Sequence, residues 1–394
     1  MNPRTVYLDH AATTPMAPAA IEAMTAELAL VGNASSLHAS GRRARRVLEE
    51  SRERIAAALG SRPGEVVFTS GGTEADNLAL KGAFWARRDQ DPARTRILSS
   101  TVEHHAVLDP LHWLETTEGA EVELVGCDAT GRLDLAAMRE TIERDPASVA
   151  VISVMWANNE VGTLQPVPEI AAIASEYGIP VHTDAVQAVG AVPVDFATSG
   201  VDALSLTGHK LGGPVGAGAL VVRRELELTA LVHGGGQERD VRSGTHATAA
   251  IAGFAAAVEL AVKEQEAYAI RVGELRGRLV EQVLAQVPDT HLNGPPLDGD
   301  RLPNNAQIAF PGCEGDSLLM LLDAAGVECS TGAACSAGVP QASHVLLAMG
   351  QSDEQARSSL RFSLGHTTTP EDVDRLVAAI GPAVERGRAA GLQR

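Results

Sequence analysis

Seven short apolar segments recur through the middle of the chain: Glu65–Thr69, Arg96–Ser99, Glu121–Val125, Val149–Met155, Pro180–Asp184, Ala203–Thr207 and Ala219–Val222. Helix-patterned stretches lie between most of them, at Thr73–Arg88, Ala106–Glu118, Leu135–Arg144 and Val167–Tyr177. This alternation constrains the fold more than any other feature of the sequence. A strand, a helix and a second strand close most readily as a parallel pair with the helix packed across it. Repetition then builds a mostly parallel sheet covered on both faces. Only the connection from Thr207 to Ala219 is short and Gly-rich, so Ala219–Val222 is expected to pair antiparallel.

Outside this region the pattern changes. Ser40–Leu59 reads as an amphipathic helix with Ala44, Val47, Leu48, Ile55 and Leu59 on one side, and Arg42, Arg43, Arg45 and Arg46 on its solvated face. His246 to Gln286 reads as one long helical stretch with a break expected near Glu264–Ala269. It leads to a second unit with strands near Gln307–Phe310 and Arg361–Ser363, and helices near Gly315–Ala325 and Pro370–Arg388. The 394 residues fit two domains at roughly 150 residues each.

Composition narrows the function. Asp plus Glu number 50 against 32 Lys plus Arg, a formal net charge of −18. Such a chain repels phosphate backbones and anionic bilayers, so neither direct nucleic-acid binding nor membrane attachment is expected. The N-terminus lacks a basic segment followed by an apolar one, and the longest apolar run, Ala247–Val262, carries Thr248 and Glu259. A cytoplasmic location is the expectation. The four cysteines, Cys127, Cys313, Cys329 and Cys335, are too few and too scattered for a disulfide framework or a zinc site. A single reactive thiol suits them better.

In an open parallel sheet, ligands sit beyond the carboxyl ends of the strands. Three segments carry polar groups there. Phe68-Thr69-Ser70-Gly71-Gly72-Thr73-Glu74 runs through glycines into a helix start, where free N–H groups and the Thr73 hydroxyl suit a phosphate. Val181-His182-Thr183-Asp184-Ala185-Val186-Gln187 ends a buried strand on a carboxylate, which is costly unless a cation or several donors meet it. Ala203-Leu204-Ser205-Leu206-Thr207-Gly208-His209-Lys210 closes an apolar strand on a lysine, which can form a Schiff base when its pKa is lowered. Singly, each has a plain structural reading: a Gly-rich turn, a capping aspartate, a snorkelling lysine. Together they describe one ligand with a phosphate, a basic ring nitrogen and an aldehyde, which is pyridoxal 5′-phosphate (PLP).

With these segments in place the chain resembles the cysteine desulfurases. The resemblance rests on Tyr7-Leu8-Asp9-His10-Ala11-Ala12-Thr13-Thr14-Pro15, the SGGTEADN segment, Glu103-His104-His105-Ala106-Val107, Asn158-Asn159-Glu160-Val161-Gly162 and Thr207-Gly208-His209-Lys210. Arg242-Ser243-Gly244-Thr245, Ser330-Thr331-Gly332-Ala333-Ala334-Cys335 and Arg361-Phe362-Ser363-Leu364-Gly365 extend it from about residue 6 to residue 370. It is similar above all to the NifS/IscS-like group of the class-V aminotransferase family. The resemblance implies an α/β, fold-type I PLP-dependent transferase. Its large domain, 15–262, would hold the cofactor on a mostly parallel seven-stranded sheet. A smaller α+β domain, 1–14 and 263–394, would carry a catalytic cysteine loop.

The same resemblance implies roles. Lys210 would hold the cofactor, Asp184 would pair with its ring nitrogen, and His104 would stack on the ring and shuttle protons. Gln187 and Asn159 would lie by the ring hydroxyl, with Asn159 also near the substrate carboxylate, which Arg361 would grip through its planar fork. Gly72, Thr73, Thr207 and His209 would bind the phosphate, joined by Thr245 from the second subunit of a homodimer. Cys335 would take sulfur from L-cysteine as a persulfide, leaving L-alanine, and pass it to an acceptor such as an iron–sulfur scaffold protein. Cys329 reads as packing, and no metal is expected. The long stretch from Cys335 to Ser343-His344-Val345-Leu346 favours this group over the short-loop group that needs an activating partner. The tail after Arg361 is shorter than the one through which several relatives dock the scaffold. An aminotransferase or a selenocysteine lyase would share the cofactor site and differ in product or substrate. A metal scaffold built on Cys329 and Cys335 lacks further ligands nearby, and no GxGxxG segment supports a dinucleotide site.

Overall fold

The computed structural model describes residues 5–332 and 342–391. Its centre is a seven-stranded sheet in the spatial order Val66–Thr69, Gly218–Val222, Ala203–Thr207, Val181–Asp184, Val149–Ser153, Arg96–Ser100 and Glu121–Val125. Gly218–Val222 pairs antiparallel with both neighbours, Gly218 standing opposite Thr207 on one side and Thr69 on the other. The other pairs are parallel. Six strands therefore end along one edge of the sheet, and that edge carries the site.

Alternation along the strands sends side chains to two cores. Phe68, Leu98, Ile152, Leu204, Leu206 and Val221 pack with Leu48, Ile55 and Leu59 of the helix Ala39–Leu59 and with Ile170, Phe254 and Val258. On the opposite face Val67, Ala203 and Leu220 meet Ala75, Leu78 and Ala79 of the helix Gly72–Gln90, while Ile97 and Val151 meet Val107 and Leu111 of His105–Glu118. Central strands buried on both sides explain their near-continuous Val, Ile, Leu and Ala content.

A third core lies around a three-stranded antiparallel sheet in the order Ser359–Ser363, Asn305–Ala309, His291–Leu292. The helices Gln265–Gln286, Gly315–Ala324 and Pro370–Gly391 pack on it through Leu279, Val283, Leu318, Leu322, Leu376 and Ile380. The strand Val6–Tyr7 joins this unit by pairing in parallel with Val327–Glu328. The long helical stretch breaks once, at Glu264, between Thr248–Lys263 and Gln265–Gln286. Pro18–Leu28 is a helix that the sequence reading passed over. Its apolar residues fall all round, with Ile21 and Leu28 exposed, and Ala17 and Ala20 pack on Ala257 of Thr248–Lys263. Among the described residues no helix is long and apolar enough to cross a membrane, and no cluster of three or more His, Cys, Asp or Glu side chains could hold a metal.

Candidate active site

A cleft of about 410 Å³ opens along the carboxyl edge of the main sheet, within the usual size for a small-molecule site. Gly72 and Thr73 line one end and begin the helix Gly72–Gln90. Gly71, ahead of them, has φ 156 and ψ −176, a conformation that a β-carbon essentially forbids. Among the described residues no side chain caps this helix, which leaves its first N–H groups available for an anion. Thr207, 3% exposed, and His209 line the same cleft. His209 Nδ1 meets Thr13 Oγ1 at 2.7 Å, and burial followed by the Lys210 charge lowers its pKa to about 4.

Lys210 follows the Ala203–Thr207 strand by one tight turn, Gly208–Lys210. Its Nζ donates to the Ala11 and Ala12 carbonyls, and Gln187 Nε2 donates to the same Ala11 oxygen at 3.0 Å. Burial and then the neighbouring Arg361 charge pull the Lys210 pKa down to about 8, against the opposing pull of Asp9 and Asp184. Asp184 closes the next strand, accepts the Val186 N–H at 2.9 Å, and has its pKa raised by burial although Lys210 favours its anion. Gln187 stands in a turn rather than in a helix, since Ala188 and Val189 both donate back to the Ala185 carbonyl.

His104 caps the helix His105–Glu118, with Nδ1 accepting the Ala106 N–H at 3.1 Å. That bond puts the proton of a neutral imidazole on Nε2. Burial against the cleft wall, then the charge on Lys210, lowers the His104 pKa to about 4. Asn159 lines the cleft, and its carbonyl accepts Arg361 Nη1 at 3.0 Å. Arg361 Nη2 donates to Asp9 Oδ1 at 2.8 Å, while its buried Nε has no partner among the described residues. An incoming carboxylate must therefore compete with Asp9 for this fork.

Nine of the twelve expected residues thus gather with Lys210 in one cleft. Thr245 does not: it is exposed and absent from the cleft wall of its own chain. Cys335 lies outside the described residues, while Ser330 and Gly332 before it and His344 after it line the cleft. Cys329 is packed against the smaller core, and burial pushes its thiol up to about 12, far from a reactive thiolate. Sequence reasoning missed the Ala11 and Ala12 carbonyls, which leave no side-chain signature. It also missed two buried carboxyl groups, Asp76 and Glu103. Asp76 had a readable signal, one helical turn beyond Thr73 on the same face as Ala75, Leu78 and Ala79.

The donor set fits a phosphorylated, aldehyde-bearing pyridine. Uncapped N–H groups and hydroxyls lie at one end, a buried carboxylate ends the neighbouring strand, and an amine of depressed pKa stands beside both. Comparison with known proteins bears on the same point. The family described as Aminotransferase class-V matches residues 6–376. The chain belongs to that family. Its relatives there are cysteine desulfurases: an IscS-like cysteine desulfurase of Mycobacterium tuberculosis is 56% identical over 386 residues, covering 98% of each chain. A solved NifS-like protein superposes with a TM-score of 0.89 at 34% identity, covering 97% of this chain and all 100% of that one. A structure of SspA in complex with cysteine gives 0.78 at 33% identity, covering 91% and 99%.

Proposed function

We propose that this protein is a PLP-dependent cysteine desulfurase that converts L-cysteine to L-alanine and passes the sulfur on for iron–sulfur cluster assembly or other sulfur transfer. The observation that carries the reading is the convergence of Lys210, Asp184, His104 and the uncapped Gly72–Thr73 turn on one cleft. When bound, the cofactor supplies the electron sink that loosens the α-proton and the C–S bond of cysteine. Lys210 would bind the aldehyde carbon, and Asp184 would hold a proton on the ring nitrogen. Gly72, Thr73, Thr207 and His209 would hold the phosphate, with Thr245 contributed by a second copy of the chain. Gln187 and Asn159 would orient the ring. His104 would lie against it and move protons to and from the substrate, while Arg361 would turn from Asp9 to the substrate carboxylate.

The Cys335 thiolate then attacks the substrate sulfur. The C–S bond of cysteine breaks as the S–S bond forms, the β-carbon takes a proton, and alanine leaves. Cys335 keeps the persulfide, so the exchange balances without an external oxidant. The large domain (15–262) supplies the cofactor site and the small domain (1–14, 263–394) supplies the cysteine and the arginine. The direct test is to load the purified protein with PLP, reduce it with borohydride and map the modified residue, then supply L-cysteine. Lys210 is expected to carry the cofactor, and alanine is expected to appear with a persulfide on Cys335. Cofactor on another lysine, or a keto acid in place of alanine, would overturn the reading.

A further inference from the structure

The helix Gly72–Gln90 brings Gly72 and Thr73 to the cleft and, one turn on, directs Asp76 at the sheet. Asp76 lines the same cleft, yet it is only 1% exposed, and neither of its carboxyl oxygens has a hydrogen-bond partner among the described residues. The groups that face it come from three strands: His182 and Asp184, Ser205, and Glu103 just past Arg96–Ser100. None of them is a cation. His182 Nε2 lies 3.5 Å from Asp76 Oδ1, but its ring is already held between Ser205 Oγ and Ser153 Oγ, each at 2.9 Å. Burial keeps that imidazole neutral, its pKa lowered to about 3.

The neighbouring carboxyl groups are better provided for. Asp184 has the Val186 N–H and the Lys210 charge, and Glu103 accepts the Ser100 hydroxyl at 2.6 Å and the Met155 N–H at 2.9 Å. At Asp76 deep burial and then the Asp184 charge outweigh the opposing Ser205 hydroxyl, so its pKa is driven well upward. A carboxylate with neither a cation nor close donors is the costliest group to bury, and such a group keeps its proton.

We propose that Asp76 is a positioning residue of the cofactor site, standing as the neutral acid behind Asp184 and facing the His182–Ser205 pair. Asp184 is thereby left as the anion that meets the ring nitrogen. The register supports the arrangement, since Asp184 stands opposite Ser205 and side chains at 182 and 184 share one face of the sheet. One negative charge then meets one positive charge. Two anions behind a single ring nitrogen would repel each other across the same pocket.

This inference rests on the reading of the cleft as a PLP site. Asp76→Asn keeps the shape, the neutrality and a donor, whereas Asp76→Ala keeps the neutrality but removes the shape and the donor. Cofactor-free protein titrated with PLP should show Asp76→Asn within about threefold of the wild-type dissociation constant and Asp76→Ala weaker by about tenfold or more, each with wild-type circular dichroism. Infrared spectra should show a buried carboxylic-acid C=O band that is lost in Asp76→Asn and kept in Glu103→Gln. An Asp76→Asn protein as weak as Asp76→Ala, or one with no band lost, would make Asp76 a second counter-ion and overturn the proposal. Wild-type affinity in Asp76→Ala would reduce it to packing. A wild-type protein that takes up no PLP overturns the reading of the cleft and this role with it. If the wild type binds PLP and only the Asp76 variants depart, the failure is confined to Asp76.

Discussion

Lys210 is the residue on which the electrostatics of the cleft can be tested most simply. The neutral amine is the form that attacks an aldehyde. With a pKa near 8, the rate at which cofactor-free protein captures PLP should climb as the pH rises through about 8. Arg361 is the largest charge holding that value down, so Arg361→Leu should move the inflection to higher pH. Stopped-flow absorbance against pH checks both, and an unmoved inflection would show that Arg361 does not act on the lysine. The thiols separate as clearly. Cys329→Ser should leave alanine release near wild type, because a thiol pushed up to about 12 is almost never ionised at neutral pH. Cys335→Ser should bind L-cysteine but release no alanine, and mass spectrometry of trapped persulfide decides between the two sulfurs. Lys210 and Asp184 were legible as cleft residues because two charges at the ends of apolar runs, each with a plain structural reading alone, fall at the same sheet edge as the Gly-rich turn at Gly72. Asp76 was passed over despite sharing a helix face with Ala75, Leu78 and Ala79, since an acidic residue in the second turn of a helix reads as ordinary solvated polarity until the sheet is seen beneath it.

Among the elements, the seven strands of the main sheet were legible to within about two residues, because buried strands demand unbroken apolar runs, whereas the two-residue strands Val6–Tyr7, His291–Leu292 and Val327–Glu328 were not. Helix Pro18–Leu28 was not, since alanines packing on alanines leave no amphipathic stripe. Nor was the turn that precedes Thr245, which depends on contacts remote in sequence. Glu238, Arg239 and Asp240 have φ values of 48, 58 and 64, three successive left-handed residues with a β-carbon. Each costs roughly 1–2 kcal/mol, so something must hold the turn in place. Glu238 does so from a buried position. It accepts Arg52 Nη1 at 2.8 Å and Nη2 at 2.7 Å, the Phe68 N–H at 2.9 Å and His246 Nε2 at 2.6 Å. Despite burial, the Arg52 and His246 bonds draw its pKa from 4.5 to about 2. A depressed carboxyl pKa stabilises the fold fully above the unfolded value and loses that contribution as pH falls towards the folded one. At 1.36 kcal/mol per unit, the anion contributes roughly 3 kcal/mol at neutral pH. Glu238→Gln should therefore lower stability by about that much in urea at pH 7, and the gap to wild type should narrow as the pH is taken from 4.5 towards 2. A gap that stays constant would place the Glu238 contribution in packing rather than charge.

At the scale of the whole molecule, the clamp at Glu238 has a consequence for assembly. It anchors a loop that is tied again by Arg242 to Glu74 at 2.7 Å, and beyond these ties Thr245 stands exposed, outside the cleft of its own chain. A rigid loop held away from its own site is suited to reach another copy's site, which is the shared homodimer proposed above. Mixing two defective variants distinguishes this from a role within one chain. Lys210→Ala lacks the lysine but carries an intact Thr245; Thr245→Ala has the lysine but should bind PLP about tenfold more weakly, the loss of one hydrogen bond to a charged group. In a mixed dimer the Thr245→Ala protomer would receive its threonine from the Lys210→Ala protomer. One site per dimer is then whole, and the other lacks both groups. Subunits exchanged under mild denaturant and repurified by two affinity tags should bind one PLP per dimer at wild-type affinity. They should also regain close to half the wild-type alanine release per dimer, although the first variant is inactive alone and the second needs excess cofactor. If Thr245 acts within its own chain, mixing restores nothing, and the mixed dimer will keep the weak affinity of Thr245→Ala.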